Sequence, residues 1–286
     1  MARKIKDDQD VNDYVRNIVK EAGSSFYWGM RFLPKNKREA MFAVYAFCRV
    51  VDDIADGELS IDEKKRQLDE WKKIINGLYR NDVPSDNKIA IALGRIINEF
   101  SLPKDEFLEV IAGMEMDMNN TGTPLTMSEL KLYCRRVAGA VGMLSIHIFG
   151  DTSKESVQYA ICLGEALQLT NILRDEAEDA DMGRIYIPLE LMSKYGVEGL
   201  SPKELLDSPA LLDIRKDLAV RAEEMYAKAQ SLITPQNKKA LKAAEMMKRV
   251  YYAIFRKMQK RGIGVVSPRI KLGKLDMLKG LLGYEE

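Results

Sequence analysis

The chain has few of the residues on which several common catalytic and metal sites depend. Among its 286 residues there are one histidine, His147, and three cysteines, Cys48, Cys134 and Cys162. A Ser-His-Asp triad or a zinc site would have to rest on this one histidine, which lies in an apolar context, so we interpret it as structural. The cysteines are odd in number and lie in apolar helical patterns. This predicts reduced, buried thiols, as in a cytosolic protein.

Net charge, long apolar runs and strand-like alternation are also absent. Lysine and arginine number 44 against 43 acidic residues, so no overall positive field points to a nucleic-acid ligand. No stretch reaches the roughly 18 apolar residues of a membrane span, and the opening MARKIKDDQD lacks the apolar core of a signal peptide. These absences predict a cytoplasmic, all-α protein of one domain, 1–286, whose membrane contact, if it has any, is peripheral.

The chain does contain a series of apolar helical patterns that end at glycine and proline. After a loose polar start over residues 1–9, they predict helices over 10–22, 36–54, 61–79, 88–100, 103–118, 126–148, 153–179, 211–232 and 236–261. Gly139 and Gly142 lower the helix propensity of their segment. We expect them to allow close approach of either another helix or a bulky ligand.

The most informative stretch is QLTNILRDEAED, residues 168–179. Asn171, Asp175 and Asp179 are spaced i, i+4 and i+8, which stacks three oxygen-bearing side chains on one helix face, about 6 Å apart. Like charges at this spacing repel each other, which favours a bound cation; a solvated acidic face is the alternative. Carboxylate and amide oxygens without cysteine or histidine suit a hard ion such as Mg²⁺.

A second acidic cluster, RVVDDIAD at residues 49–56, follows an apolar run. Asp52 and Asp56 are again i, i+4, with Asp53 about 100° around the helix. Charge at the end of an apolar helix needs a partner. Arg49 lies beside this cluster as Arg174 lies beside the other. Two such helices facing each other could hold Mg²⁺ and a diphosphate, although a purely structural pairing of Arg49 with its local aspartates stays open.

These motifs and their flanks resemble the head-to-head trans-prenyl synthases, the family of squalene, phytoene and dehydrosqualene synthases. The resemblance rests on SSFYWGMRFLP, DDIAD, GMEMDM, RVAGAVGMLS and NILRDEAEDADMGRIYIP. It is strong from about residue 20 to 190 and weaker to about 270. Within the family these segments look most like the presqualene diphosphate synthases of bacterial hopanoid biosynthesis. The resemblance implies an isoprenoid-synthase-type helical bundle around a central cavity.

The activity that the resemblance implies is an Mg²⁺-dependent prenyl transfer. Two farnesyl diphosphates would be joined to presqualene diphosphate with release of diphosphate, and the product would feed downstream enzymes of squalene and hopanoid synthesis. NADPH would not be required, although the lack of a GxGxxG loop is weak grounds for excluding it. A full squalene synthase that uses NADPH, a phytoene synthase that uses geranylgeranyl diphosphate and a non-catalytic prenyl-lipid binding or assembly protein are the alternatives.

The resemblance also implies which residues form the site. The predicted metal ligands are Asp52, Asp56, Asn171 and Asp175. The predicted catalytic residues are Asp52, Asp56, Asp175, Asp179 and Tyr133. Substrate contacts are predicted for Ser25, Tyr45, Arg49, Gln168, Arg174, Arg184, Tyr186 and Tyr252, the last preferred over Tyr251. Asp53 and Asp117 are expected to support them, and Tyr133, Val137 and Gly142 to border the cavity. The basic segment 269–274 is expected to meet solvent, phosphate or an anionic membrane.

Overall fold

The structure, a computed structural model, describes residues 2–23, 25–273 and 276–277, but not the side chains of residues 2–8, 25, 26 and 28. Within these residues the chain is helical and contains no β-strand, which confirms the all-α prediction. The helices are α1 (Ala2–Glu21), α2 (Ser25–Met30), α3 (Lys35–Asp56), α4 (Ile61–Leu78), α5 (Lys88–Glu99), α6 (Lys104–Asn119), α7 (Met127–Cys134), a π-helical turn (Arg135–Gly139), α8 (Ala140–Phe149), α9 (Lys154–Asp181), α10 (Leu189–Lys194), α11 (Pro202–Leu206), α12 (Leu211–Ser231) and α13 (Lys242–Arg261).

Capping side chains set several of the helix starts. Ser60, Asn87 and Ser153 each accept a hydrogen bond from the backbone N–H three residues further on. Thr126 forms a reciprocal capping box with Glu129 at the start of α7. Such caps satisfy N–H groups that have no partner inside the helix, and each stabilises by roughly 1 kcal/mol.

The long apolar helices α3 and α9 form the centre of the bundle. Phe47 of α3 is fully buried and packs edge-on against Trp71 of α4 and Phe107 of α6, with ring centroids 5.5 and 5.4 Å apart. Helix α9 packs against α8, α12 and α13. The two central helices thereby face each other across a cavity, with their acidic ends at the same end of the bundle.

Two helix boundaries differ from the prediction. Helix α1 begins at Ala2, so residues 2–9 are not a loose start. Helix α13 begins at Lys242, whereas the sequence pattern predicts a start at 236. The reason is Asn237, whose side chain accepts from Thr234 N–H at 2.8 Å and donates to the Leu232 carbonyl at 3.0 Å. These bonds hold the chain in turns, because a side-chain amide competes with the backbone for helix-type hydrogen bonds.

The predicted helix 126–148 contains a π-helical turn between α7 and α8. Its glycines lie against α9: a Cβ on Gly164 would lie 2.7 Å from the Gly139 nitrogen, and a Cβ on Gly142 would lie 2.9 Å from the Ala160 carbonyl oxygen. Close helix packing is therefore one use of both glycines. Single π-turns within α-helices often occur at functional sites, and this one lies beside the cavity.

Two further predictions concern thiols and membrane spans. Cys48, Cys134 and Cys162 are all free, and the last two are buried. In the described part of the chain, no helix has both the length and the apolar composition to cross a bilayer.

Candidate active site

A polar cavity of about 830 Å³ lies between the acidic ends of α3 and α9. The rest of its wall comes from α6, α7, α13, the π-helical turn, the chain after α1 and after α9, residues 269–272 and Met277. Most of the predicted site residues line it: Tyr45, Arg49, Asp52, Asp56, Asp117, Tyr133, Val137, Gln168, Asn171, Arg174, Asp175, Asp179, Arg184 and Tyr186. The two acidic motifs, about 120 residues apart in sequence, thus share one space.

An apolar cavity of about 240 Å³ adjoins the polar one. Tyr45, Cys48, Val137, Gln168 and Asn171 line both cavities, so the two spaces are neighbours. The remaining wall consists of small and apolar side chains from α2, α3, α8, α9 and α13, among them Gly142, and its described lining contains no charged residue. A hydrocarbon chain would fit such a wall, because polar or charged groups buried against it would lose hydration.

Arginine side chains hold three of the four aspartates that are predicted to be catalytic, namely Asp52, Asp56 and Asp175. Arg49 donates to Asp52 at 3.1 Å and lies 2.6 Å from Asp53. Arg184, from the loop after α9, donates to Asp56 at 2.6 Å.

On α9, Asp175 accepts hydrogen bonds from two arginines. Arg174 donates to it at 2.7 and 2.6 Å, and Arg269 at 2.7 and 3.0 Å. Both pairs are bidentate, a geometry that arginine forms equally well with carboxylate and phosphate groups. The cavity therefore holds acidic and basic groups in mutual contact.

Burial and neighbouring carboxylates raise the pKa values of two aspartates in the polar cavity. Burial, followed by the charge of Asp56, raises the pKa of Asp52 to about 7, against the opposing effect of Arg49. Burial, followed by the charge of Asp175, raises the pKa of Asp179 to about 8. Both groups hold protons near neutral pH that a cation would displace.

Asp117, from α6, is buried and held by two tyrosine hydroxyls. Tyr186 donates to it at 2.6 Å and Tyr133 at 3.1 Å. The two rings stack on each other with centroids 5.1 Å apart. Burial raises the pKa of Asp117 to about 6, while the hydrogen bonds and Arg184 oppose that rise. Gln168 donates to the Tyr133 oxygen at 3.4 Å and links this cluster to α9.

The donor set of the cavity fits a hard cation. Asn171 Oδ1 is buried and accepts no hydrogen bond, so it lacks the partner that a buried oxygen needs. It lies on the same face of α9 as Asp175 and Asp179. The donors are carboxylate and amide oxygens, which suit Mg²⁺. No three acidic, histidine or cysteine side chains of the described residues are close enough to form a preassembled metal cluster.

Comparison with known proteins identifies the chain. The squalene/phytoene synthase family model matches residues 19–276. A presqualene diphosphate synthase of Zymomonas mobilis is 43% identical over 272 residues, which cover 95% of this chain and 92% of that protein. One of Rhodopseudomonas palustris is 39% identical over 262 residues, covering 92% and 93%.

The chain belongs to the squalene/phytoene synthase family.

A solved structure supports the same assignment. A dehydrosqualene synthase in complex with a ligand superposes on this family member with a TM-score of 0.83 at 29% identity, over 96% of this chain and 95% of the other. The predicted family, the isoprenoid-synthase fold and the prenyltransferase class are confirmed.

One residue of this family member lies elsewhere than predicted. Tyr252 is directed away from the polar cavity: its hydroxyl donates to Glu223 of α12 at 2.6 Å. Tyr251 lines the cavity instead and lies against Arg174 and Asn171. Neighbouring residues on a helix point about 100° apart, so Tyr251 faces the cavity while Tyr252 is directed toward α12. The buried stripe Met247, Tyr251, Ile254, Met258 has helical spacing and would have identified the inward one.

Three other residues named from the sequence complete the comparison. Arg269, for which the sequence left contact with phosphate or with an anionic membrane open, lies in the polar cavity and also approaches Glu178 at 3.3 Å. It follows the last helix, where no periodicity indicates a side chain's direction. Asp53 pairs with Arg49 outside the cavity lining. The predicted Ser25 side chain lies outside the described residues.

A fully buried arginine, Arg215 of α12, stabilises the acidic end of α9. It donates to the Leu173 carbonyl at 2.8 Å and the Ile263 carbonyl at 2.5 Å, and pairs with Glu176. A buried charge without these partners would be strongly unfavourable. Arg215 therefore ties α9 to the chain that leads to Arg269.

Proposed function

We propose that this protein joins two farnesyl diphosphates head to head, with Mg²⁺, and releases presqualene diphosphate and diphosphate. The observation that carries the proposal is an arginine- and aspartate-lined cavity that adjoins an uncharged one. A diphosphate and a prenyl chain require these two environments side by side. The relatives named presqualene diphosphate synthase support the choice of substrate and product.

Asp52, Asp56, Asn171 and Asp175 would hold the metal, with Asp179 beside them. Bound Mg²⁺ would supply positive charge that stabilises the leaving diphosphate. The orphaned Asn171 Oδ1 and the raised pKa values of Asp52 and Asp179 support this assignment, since all three groups are left incompletely stabilised by the protein alone.

The arginines would exchange partners when substrate binds. Arg49, Arg174, Arg184 and Arg269 each contact a carboxylate in this structure. Once the aspartates serve as metal ligands, these guanidinium groups are available to donate to phosphate oxygens. The exchange keeps every charge paired, so little net charge is buried at any stage.

The apolar cavity would keep water from the allylic cation that forms when the carbon–oxygen bond breaks. The second substrate's double bond attacks this cation, and loss of a proton closes the cyclopropane ring. Burial raises the pKa of Tyr133 well above its ordinary value, and both it and Tyr186 donate to Asp117. They therefore act as protonated donors, and the released diphosphate is the proton acceptor that we favour.

We further propose that residues 1–286 act as one cytoplasmic domain without NADPH, in peripheral contact with a membrane, and pass the product to the next enzyme. Incubation with farnesyl diphosphate and Mg²⁺, with and without NADPH, tests the reaction and its independence of NADPH. Presqualene diphosphate under both conditions is the expected result. Squalene formed only with NADPH would indicate a full squalene synthase. No product from farnesyl diphosphate would contradict the proposal, and geranylgeranyl diphosphate would then separate a phytoene synthase from a non-catalytic protein.

A further inference from the structure

A group of exposed cations lies at the end of the bundle opposite the polar cavity. We call this end of the bundle the basic end. Its members lie at the starts of α3, α9 and α13 and in the turns before α3 and α13: Arg31, Lys35, Lys154, Lys238, Lys239 and Lys242. Lys35 and Lys154 are each about 30 Å along their helices from the aspartates of the polar cavity. The exposed cations of the basic end therefore lie far from the paired charges of the polar cavity.

Contacts between elements bring these positions to one end. Lys37 donates to the Phe149 carbonyl at 2.7 Å, which ties the start of α3 to the end of α8, just before α9. The Tyr159 hydroxyl donates to Glu245 at 2.6 Å, which ties the first turns of α9 and α13. Helix α2, whose last residue precedes Arg31, packs on α13.

Acidic residues only partly offset this charge. Glu39, Glu99, Asp151, Glu155 and Glu245 lie at the same end, with Arg95 beside Glu99. Glu245 already accepts from Tyr159 and Lys248, and Asp151 from the Ser153 N–H. Lysines at helix starts also face the positive end of the helix dipole, an unfavourable placement for folding alone. An anionic partner would offset both effects.

An exposed aromatic side chain lies within the basic end. Phe32 is 60% exposed, in the turn between α2 and α3, with Arg31 before it and Lys35 shortly after. Its neighbours in sequence, Met30 and Leu33, line the apolar cavity. Phenylalanine flanked by basic residues is a combination that binds the interface of an anionic bilayer.

We propose that the basic end is a docking surface for an anionic lipid bilayer, with Phe32 inserted among the headgroups. The cations contact lipid phosphates, and the apolar cavity lies next to the membrane while the polar cavity faces water. The functional part of this proposal rests on the proposed function, because it treats the apolar cavity beside the lipid as the space for prenyl chains. Arg269 and Lys271 of the predicted basic segment line the polar cavity and are not part of this surface, and Lys274 lies outside the described residues.

Sedimentation of the full chain with vesicles tests the proposal without substrate. We expect binding to vesicles that contain phosphatidylglycerol, weak binding to pure phosphatidylcholine, and loss of binding at high salt. The double variant Lys238→Gln/Lys239→Gln should bind about 25-fold more weakly, at about fivefold per charge. Phe32→Ser should weaken binding about tenfold.

Matched controls separate this surface from general charge and hydrophobicity. Lys65→Gln/Lys131→Gln removes two exposed charges elsewhere, and Val220→Ser removes an apolar side chain that is 59% exposed on α12. Both should bind vesicles like the wild type. Turnover in detergent solution should be unchanged in the Lys238/Lys239 variant, so a failed vesicle assay and a failed reaction are distinguishable.

Three results would overturn the proposal. The first is no preference for anionic vesicles, and the second is equal loss of binding in the control variants. The third is self-association of the wild type that Phe32→Ser abolishes while vesicle binding stays intact, which would make this end an interface between two copies of the chain.

Discussion

The hydroxyl of Tyr186 offers a precise test of how the site is stabilised. It donates to Asp117 at 2.6 Å, and Asp117 is only 6% exposed. Replacing Tyr186 with phenylalanine removes this donor and keeps the ring that stacks on Tyr133. The change is therefore a deletion of one hydrogen bond to a buried carboxylate.

The loss of stability caused by Tyr186→Phe depends on pH. A hydrogen bond to a charged group contributes about 1.5–3 kcal/mol, and a neutral one about 0.5–1.5 kcal/mol. Asp117 has a pKa of about 6 in the folded protein, and the Tyr186 bond stabilises its ionised form. Removing that bond raises the pKa of Asp117 further. Tyr186→Phe should therefore lower the free energy of unfolding by about 1.5–3 kcal/mol above pH 7, and by less than about 1.5 kcal/mol at pH 5.

Urea denaturation at the two pH values measures this difference, and turnover is measured on the same preparations. Tyr252→Phe is the matched control, because its hydroxyl also donates to a carboxylate at 2.6 Å but outside the polar cavity. We expect Tyr186→Phe to reduce turnover about tenfold or more through misplacement of Asp117 and its neighbours. Tyr252→Phe should keep near wild-type turnover.

Two outcomes would refute this reasoning. An equal loss of stability at both pH values would mean that the bond to Asp117 does not distinguish the ionised from the neutral carboxyl. A large loss of turnover in Tyr252→Phe would mean that the outward tyrosine, and not the cavity wall, carries the function.

Three further predictions concern the metal site and the packing around it. Asp52→Asn and Asp175→Asn should abolish turnover with the fold intact by circular dichroism; near-normal rates at saturating Mg²⁺ would contradict the two-motif mechanism. Because the pKa of Asp52 is raised to about 7 and that of Asp179 to about 8, protons compete with Mg²⁺, so the rise in Tm on adding Mg²⁺ should be larger at pH 8 than at pH 6. An equal rise in Tm at both pH values would exclude Asp52 and Asp179 as metal ligands. Gly164→Ala should cost about 1–3 kcal/mol in urea denaturation, because its Cβ would lie 2.7 Å from the Gly139 nitrogen; a smaller loss would show that the π-turn yields easily.

The raised carboxyl pKa values also determine how the stability of the metal-free protein changes with pH. A carboxyl whose folded-state pKa exceeds its unfolded value near 4 binds more protons when folded. Stability without metal should therefore fall as pH rises from about 4 to 8 on account of Asp52 and Asp179. Metal binding reverses this loss, because it compensates the same charges.

Local features could be read from the sequence because their geometry depends on a few neighbouring residues. Asp52 with Asp56, and Asn171 with Asp175 and Asp179, must share a helix face once the segment is helical, since the spacing of four residues corresponds to about one turn. The helix starts at Ser60, Asn87 and Thr126 follow equally from caps within three residues. By itself, the sequence thus determined an all-α chain with two acidic stripes of oxygen-bearing side chains.

Only the tertiary structure decided which distant groups meet these stripes. Arg184 reaches Asp56 across 128 residues, and Arg269 reaches Asp175 across 94. Both arginines lie in loops, where no periodicity indicates direction, and their placement follows from the packing of α9 and α13. Packing likewise turned Tyr251 inward instead of Tyr252. Contacts of this range depend on how whole helices pack together, which no short stretch of sequence specifies.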